Sequence, residues 1–256
     1  MMLLLLMSMF QLAPPASQED GSLVWQHWID DLDIRIILVG ESHGYEGAPL
    51  LTGEIVEAAA AVPGRRILLL VESTDREAYQ SYLHSDGGSI ARDQLINHTD
   101  IWSQGIDGRQ TRAVFDYLER VRQLVSEGAE IDAFAVIPQE WSSLQGRWDP
   151  AGAEMVRDEL SSGQYDLAIG LIGNAHTAVR YPMGRENHNS SFGAELGGED
   201  VRAMSVSNIH SDGRSICRAR GFSPPDHDLY LCMPNARSKF MNEALETWRL
   251  SLHSDN

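Results

Sequence analysis

Four short apolar runs constrain this chain more than any other feature of it: Ile34–Val39 (IRIILV), Arg66–Val71 (RILLLV), Ile131–Ile137 (IDAFAVI) and Asp166–Ile172 (DLAIGLI). They are rich in Ile, Leu and Val and do not alternate with polar residues, the pattern of strands buried on both faces of a sheet. Helical stretches separate them. Ala48–Ala61 is rich in Ala, Leu, Ile and Glu and stops at Pro63-Gly64; Gln110–Glu127 carries Val114, Leu118, Val121 and Leu124 at helical spacing; Ala151–Leu160 follows Pro150. Strand and helix in alternation predict an α/β fold, with a mainly parallel central sheet and helices on both faces. From Val201 the runs shorten and turn signals multiply (MSVSNI, SDGRSICRA, DLYLC), which predicts antiparallel edge strands near the C-terminus. Lys239–Leu250 reads as a closing helix.

The two ends of the chain bear on its compartment. Met1–Ala13 (MMLLLLMSMFQLA) is uncharged, apolar and too short to span a bilayer, and the small, turn-like PPASQEDGS follows it. Residues 1–17 therefore read as a signal peptide and 21–256 as a single domain, secreted or periplasmic, with no stable membrane span after cleavage. Near the other end, Cys217 and Cys232 bracket a loop broken by Pro224-Pro225. An oxidising compartment would join them in a disulfide; the alternative is two buried thiols. Neither a redox CxxC nor a four-ligand zinc spacing is present. A formal charge of −17 argues against nucleic acid as a partner, because phosphates would be repelled by most of the surface.

In open α/β sheets the ligand sits outside the carboxyl ends of the strands, so the residues just after each buried run carry the chemistry. The first run leads into Gly40-Glu41-Ser42-His43-Gly44, the second into Glu72-Ser73 and the fourth into Gly173-Asn174-Ala175-His176. Gly-x-x-His thus occurs twice at equivalent places. The glycine is expected to turn the backbone sharply out of the sheet, and an imidazole three residues later can point back over the strand ends. If these strands are neighbours, His43, His176, Glu72 and Glu41 converge. Two imidazoles and a carboxylate can form the first shell of a catalytic divalent metal, or act without metal as general base and acid on a water.

Gly40-Glu41-Ser42-His43-Gly44 also fits the Gly-x-Ser-x-Gly nucleophile elbow of serine hydrolases, with Ser42 as nucleophile. That elbow normally comes after several strands, and this one follows the first. None of the nine histidines has an Asp three residues before it, as a second serine-hydrolase scheme requires. A helix-capping role is the alternative for Ser42.

These motifs, in this order and at strand ends, resemble the superfamily that joins erythromycin esterases, Tiki and TraB-type metalloproteases and ChaN haem-uptake proteins. The Ile101-Trp102 and Asp107-Gly108-Arg109-Gln110 segments are similar to those of some members. The resemblance covers about Ile34–Arg180. It implies an α/β fold with its site at the strand ends, hydrolysing an ester or a peptide amide by an activated water, or, in another branch, binding haem. The chain is much shorter than the esterase branch and lacks the helical insertions that would shape a macrolide pocket.

On that basis the expected enzyme is an exported, metal-dependent hydrolase of a small-molecule or peptide substrate, and the alternative is a haem- or metal-binding uptake protein without turnover. His43, His176 and Glu72 are the expected metal ligands (Zn, Mn, Fe or Co) or acid–base groups, with Glu41 orienting His43. Asp107, Arg109, Asn174 and Ser42 would bind substrate, Asn174 by donating to a developing oxyanion. Tyr45 is the phenol placed to ligate a haem.

Overall fold

The structure, a computed structural model, describes residues 21–98, 109, 111–140, 148–179, 191–207, 215–216 and 228–232. The four apolar runs form strands β1 (Ile36–Glu41), β2 (Arg66–Val71), β3 (Glu130–Ala135) and β4 (Leu167–Gly173), joined by β5 (Val201–Ser207), β6 (Ser215–Ile216) and β7 (Leu229–Cys232). The sheet order is β3-β2-β4-β1-β5-β7-β6.

Every described strand pairing is parallel except β6 with β7. The expected antiparallel edge therefore shrinks to that one pair. β5 and β7, carrying MSVS and LYLC, run parallel to β1. A strand's own residues do not encode its direction, which is set by how the connection returns; the long crossover between β4 and β5 brings the chain back to the starting end of the sheet.

The apolar runs lie between two cores because successive side chains point to opposite faces. Ile37 and Val39 of β1, Ile67 and Leu69 of β2 and Ile169 of β4 pack on one face. That face is covered by α1 (Gly21–Asp30), α2 (Gly47–Ala60), α3 (Arg76–Leu83), α4 (Ser89–His98) and α5 (Arg112–Ser126). Ile36 and Leu38, Leu68 and Leu70, and Ile172 face the other core, under α6 (Trp148–Ser161) and α8 (Phe192–Leu196). A short helix, α7 (Asn174–Thr177), leaves β4 directly.

α2, α5 and α6 match the helices expected from sequence, within a few residues. α1, α3 and α4 were not foreseen. α3 begins where Asp75 accepts a hydrogen bond from the Ala78 amide, an Asp N-cap. Its Gln80 accepts from the Ala133 amide on edge strand β3 and so covers part of that edge. Among the described residues no helix is long and apolar enough to cross a membrane. The signal peptide expected at 1–17, Asp107, the Ile101-Trp102 segment, Cys217 and the helix expected over Lys239–Leu250 lie outside the described residues, and with Cys217 the expected disulfide.

Candidate active site

Topology brings the motifs together. β4 sits between β1 and β2, with Glu41 opposite Gly173 and Val71 opposite Leu171. The carboxyl ends of the three motif-bearing strands are therefore side by side. The chain passes over β4 on its way from β1 to β2, which makes this rim a point where the strand order reverses, the usual place for a ligand in such sheets.

The two Gly-x-x-His glycines do a different job from the one expected. Neither Gly40 nor Gly173 has a positive φ; the left-handed residue is Gly44, at φ 89°, in the turn after β1. Gly40 and Gly173 provide room. A Cβ on Gly173 would stand 3.2 Å from His43 Nε2 and 3.5 Å from Glu72 Oε2, and one on Gly40 would collide with Asn174 Oδ1. One motif's glycine makes space for the other motif's side chain, which locks the two together.

Each imidazole is fixed by a carboxylate at Nδ1. His43 Nδ1 lies 2.7 Å from Glu41 Oε1, and His176 Nδ1 lies 2.6 Å from Asp149 Oδ1. The same Asp149 oxygen accepts the Phe192 amide at 2.8 Å. The His176 ring also leans on Trp148, with centroids 4.6 Å apart. Between the two pairs, Glu72 accepts from Arg109 Nη1 at 2.8 Å on one oxygen and from the Gly173 amide at 2.7 Å on the other. Glu41, Glu72 and Asp149 are buried, while His43 and His176 keep 27% and 32% of their side-chain surface open.

The electrostatics tie these groups into one cluster. Burial works against a charged imidazole at His43, but the hydrogen bond to Glu41 and the negative charges of Glu41 and Glu72 overcome it and hold the ring above the ordinary histidine value. His176 is raised in the same way, by Asp149 and then by Glu72, against its own burial. Arg109 opposes both. Glu41 is raised above the ordinary carboxylate range because burial disfavours its charge more than His43 favours it. Both rings thus sense the same glutamate and the same arginine across the rim.

The other candidates fall as follows. Arg109 stands just before α5, whose N-cap is Thr111. Asn174 Nδ2 donates to Ser42 Oγ at 3.3 Å, linking the two motifs. Ser42 does not cap α2, which starts after Glu46 without a side-chain cap. Tyr45 is half-buried.

The expected three-ligand metal centre has no counterpart among the described residues. Among the described residues no group of three or more His, Cys, Asp or Glu side chains is disposed to hold a metal ion. Both oxygens of Glu72 are engaged, one by a guanidinium, whose positive charge is a poor neighbour for a divalent cation. The cavity bounded by Glu41, Glu72 and Arg109 holds about 30 Å³, room for about one water molecule.

Asp149 is the partner that sequence reasoning missed. It sits in the first turn of α6, well past the end of β3. The strand-end rule, applied to the third strand as to the other three, points to the segment that contains it.

No protein-family model matches the chain, and no curated protein does. Solved structures resemble it in outline. The type III effector HopBA1 is 16% identical, with a TM-score of 0.49 over 88% of this chain and 96% of that one. An erythromycin esterase mutant in its open conformation is 10% identical, with a TM-score of 0.48 over 83% and 79%. The haem-binding ChaN of Campylobacter jejuni is 10% identical, with a TM-score of 0.45 over 84% and 92%.

Proposed function

We propose that the chain is a hydrolase of ester or amide bonds that activates water with its own acid–base groups. The observation that carries this reading is the pair of imidazoles held at Nδ1 by buried carboxylates and coupled through Glu72 and Arg109 at one strand-end rim. A carboxylate at Nδ1 fixes the tautomer and leaves Nε2 to exchange protons with a reactant.

His43 is the general base. Its partner Glu41 is a buried carboxylate with one oxygen, Oε2, that no protein group hydrogen-bonds, so a positive charge arriving on His43 relieves a negative one that the protein itself under-compensates. His43 Nε2 takes a proton from water, the water oxygen bonds to the carbonyl carbon, and the oxyanion forms beside Arg109. On collapse the bond to the leaving group breaks. His176, held above the ordinary histidine value, returns a proton to that group from Nε2. The products are a carboxylic acid and an alcohol or amine.

Initial rates on p-nitrophenyl acetate and a p-nitroanilide test the reading. His43→Asn is expected to lose the activity while Ser42→Ala keeps it; loss of activity in Ser42→Ala as well, with a covalent acyl-enzyme trapped in wild type, would establish a serine nucleophile that His43 deprotonates instead. The apolar leader supports the further proposal that the protein is exported, checked by N-terminal sequencing of protein from the extracellular or periplasmic fraction.

A further inference from the structure

Beneath the rim, Tyr117 of α5 shares a small chamber with Glu41, Glu72 and Arg109, walled by apolar side chains that include Val71 and Leu171. Its volume of about 30 Å³ suits one water molecule. Two polar atoms of the residues around it, Glu41 Oε2 and Tyr117 Oη, are buried and hydrogen-bonded to no protein group. Buried polar atoms in folded proteins are nearly always satisfied, and where no protein group reaches them an ordered water does. Burial, then the nearby charge of Glu41, holds the Tyr117 phenol protonated, so it has a hydrogen to donate. Glu41 Oε2 can only accept while its carboxyl is charged. The chamber thus has a donor, an acceptor and space for one molecule that is both.

We propose that this chamber binds a single water, which accepts from Tyr117 Oη and donates to Glu41 Oε2, and that Tyr117 is thereby a positioning residue for the Glu41–His43 pair. With Oε2 anchored, the carboxylate cannot rotate, and Oε1 stays on His43 Nδ1. The imidazole is then confined to the tautomer whose Nε2 lone pair faces the rim. The importance of this for catalysis rests on the hydrolase reading; the water and the tautomer do not.

Two measurements that need no substrate test it: a high-resolution crystal structure, and ¹⁵N NMR of the histidine ring nitrogens, each on wild type and Tyr117→Phe. Wild type is expected to show one density peak within about 3.2 Å of both Tyr117 Oη and Glu41 Oε2. In Tyr117→Phe the peak is lost or displaced and the His43 nitrogen shifts move from a single tautomer toward a mixture. Tyr117→Met serves if the phenylalanine variant does not accumulate. A dry chamber, or a direct Tyr117–Glu41 hydrogen bond, overturns the water site. Unchanged His43 shifts in a folded variant overturn the positioning role. Because hydrolysis is not read, an inactive wild type would count against the proposed function and not against this site.

Discussion

The two histidine–carboxylate pairs have the same chemistry and are built in opposite ways. Glu41 and His43 are two residues apart at the end of one strand, and Glu41 Oε2 accepts no hydrogen bond from any protein group. Asp149 and His176 come from a helix start and a strand end 27 residues apart, and Asp149 Oδ1 also anchors the Phe192 amide while Trp148 backs the ring. One pair is local and electrostatically under-compensated. The other is a tertiary clamp that ties α6, α7 and α8 together. A buried carboxylate short of partners makes its histidine a better proton acceptor, whereas one already stabilised contributes more to holding the fold. The comparison assigns reactivity to the first pair and stability to the second.

The largest effect that would break this assignment is on turnover. His43→Asn is expected to lower the initial rate of ester hydrolysis by about 10²–10⁴-fold, the usual worth of a positioned general base, and His176→Asn by less. A reversed order would exchange the two roles. Stability should follow the opposite ranking. Asp149→Ala leaves the buried Phe192 amide without an acceptor and is expected to cost about 1–3 kcal/mol, seen as a fall of several degrees in Tm. Glu41→Gln removes a desolvated charge and is expected to move Tm by much less.

Gly173→Ala sharpens the same point at smaller scale. Its Cβ would arrive 3.2 Å from His43 Nε2, tighter than ordinary contact, so the ring must shift. A rate loss of about tenfold is expected from a displacement of this kind, with unfolding by denaturant little changed.

The smallest effect is in the pH dependence of stability. His176 has a folded pKa above the ordinary 6.5, so its contribution is fully present below that value and is lost as pH rises through the raised one. His176→Gln should remove that loss. Glu41 is also raised: its cost to the fold appears as pH rises from the ordinary 4.5 through its raised value, and Glu41→Gln should abolish it. Chemical denaturation at a series of pH values reads both.

The sheet and the local pair were legible in the sequence for one reason: both are written in short stretches. β1, β2, β3 and β4 announce themselves as unbroken apolar runs because they are buried on both faces, and Glu41 and His43 lie in one pentapeptide. The direction of β5 and β7 was not legible, because it depends on connections rather than on strand residues. Asp149 was legible only as part of the segment after the third strand; its pairing with His176, 27 residues on, depends on tertiary packing. The role of Gly40 and Gly173 was misread as turning, since only the packed structure shows that side chains from the other motif occupy the space a Cβ would fill. Among the described residues the expected metal ligands do not form a three-ligand group, and Glu72 instead pairs with Arg109, a contact between segments 37 residues apart.

The central claim, that this rim activates water with its own imidazoles, is tested most directly by the rate of p-nitrophenyl acetate hydrolysis in protein dialysed against a chelator, beside His43→Asn treated alike. The account predicts that wild type keeps its rate and that His43→Asn loses at least about a hundredfold. A wild-type rate that vanishes on chelation and returns with added zinc or manganese, or one equal to that of His43→Asn, would contradict it.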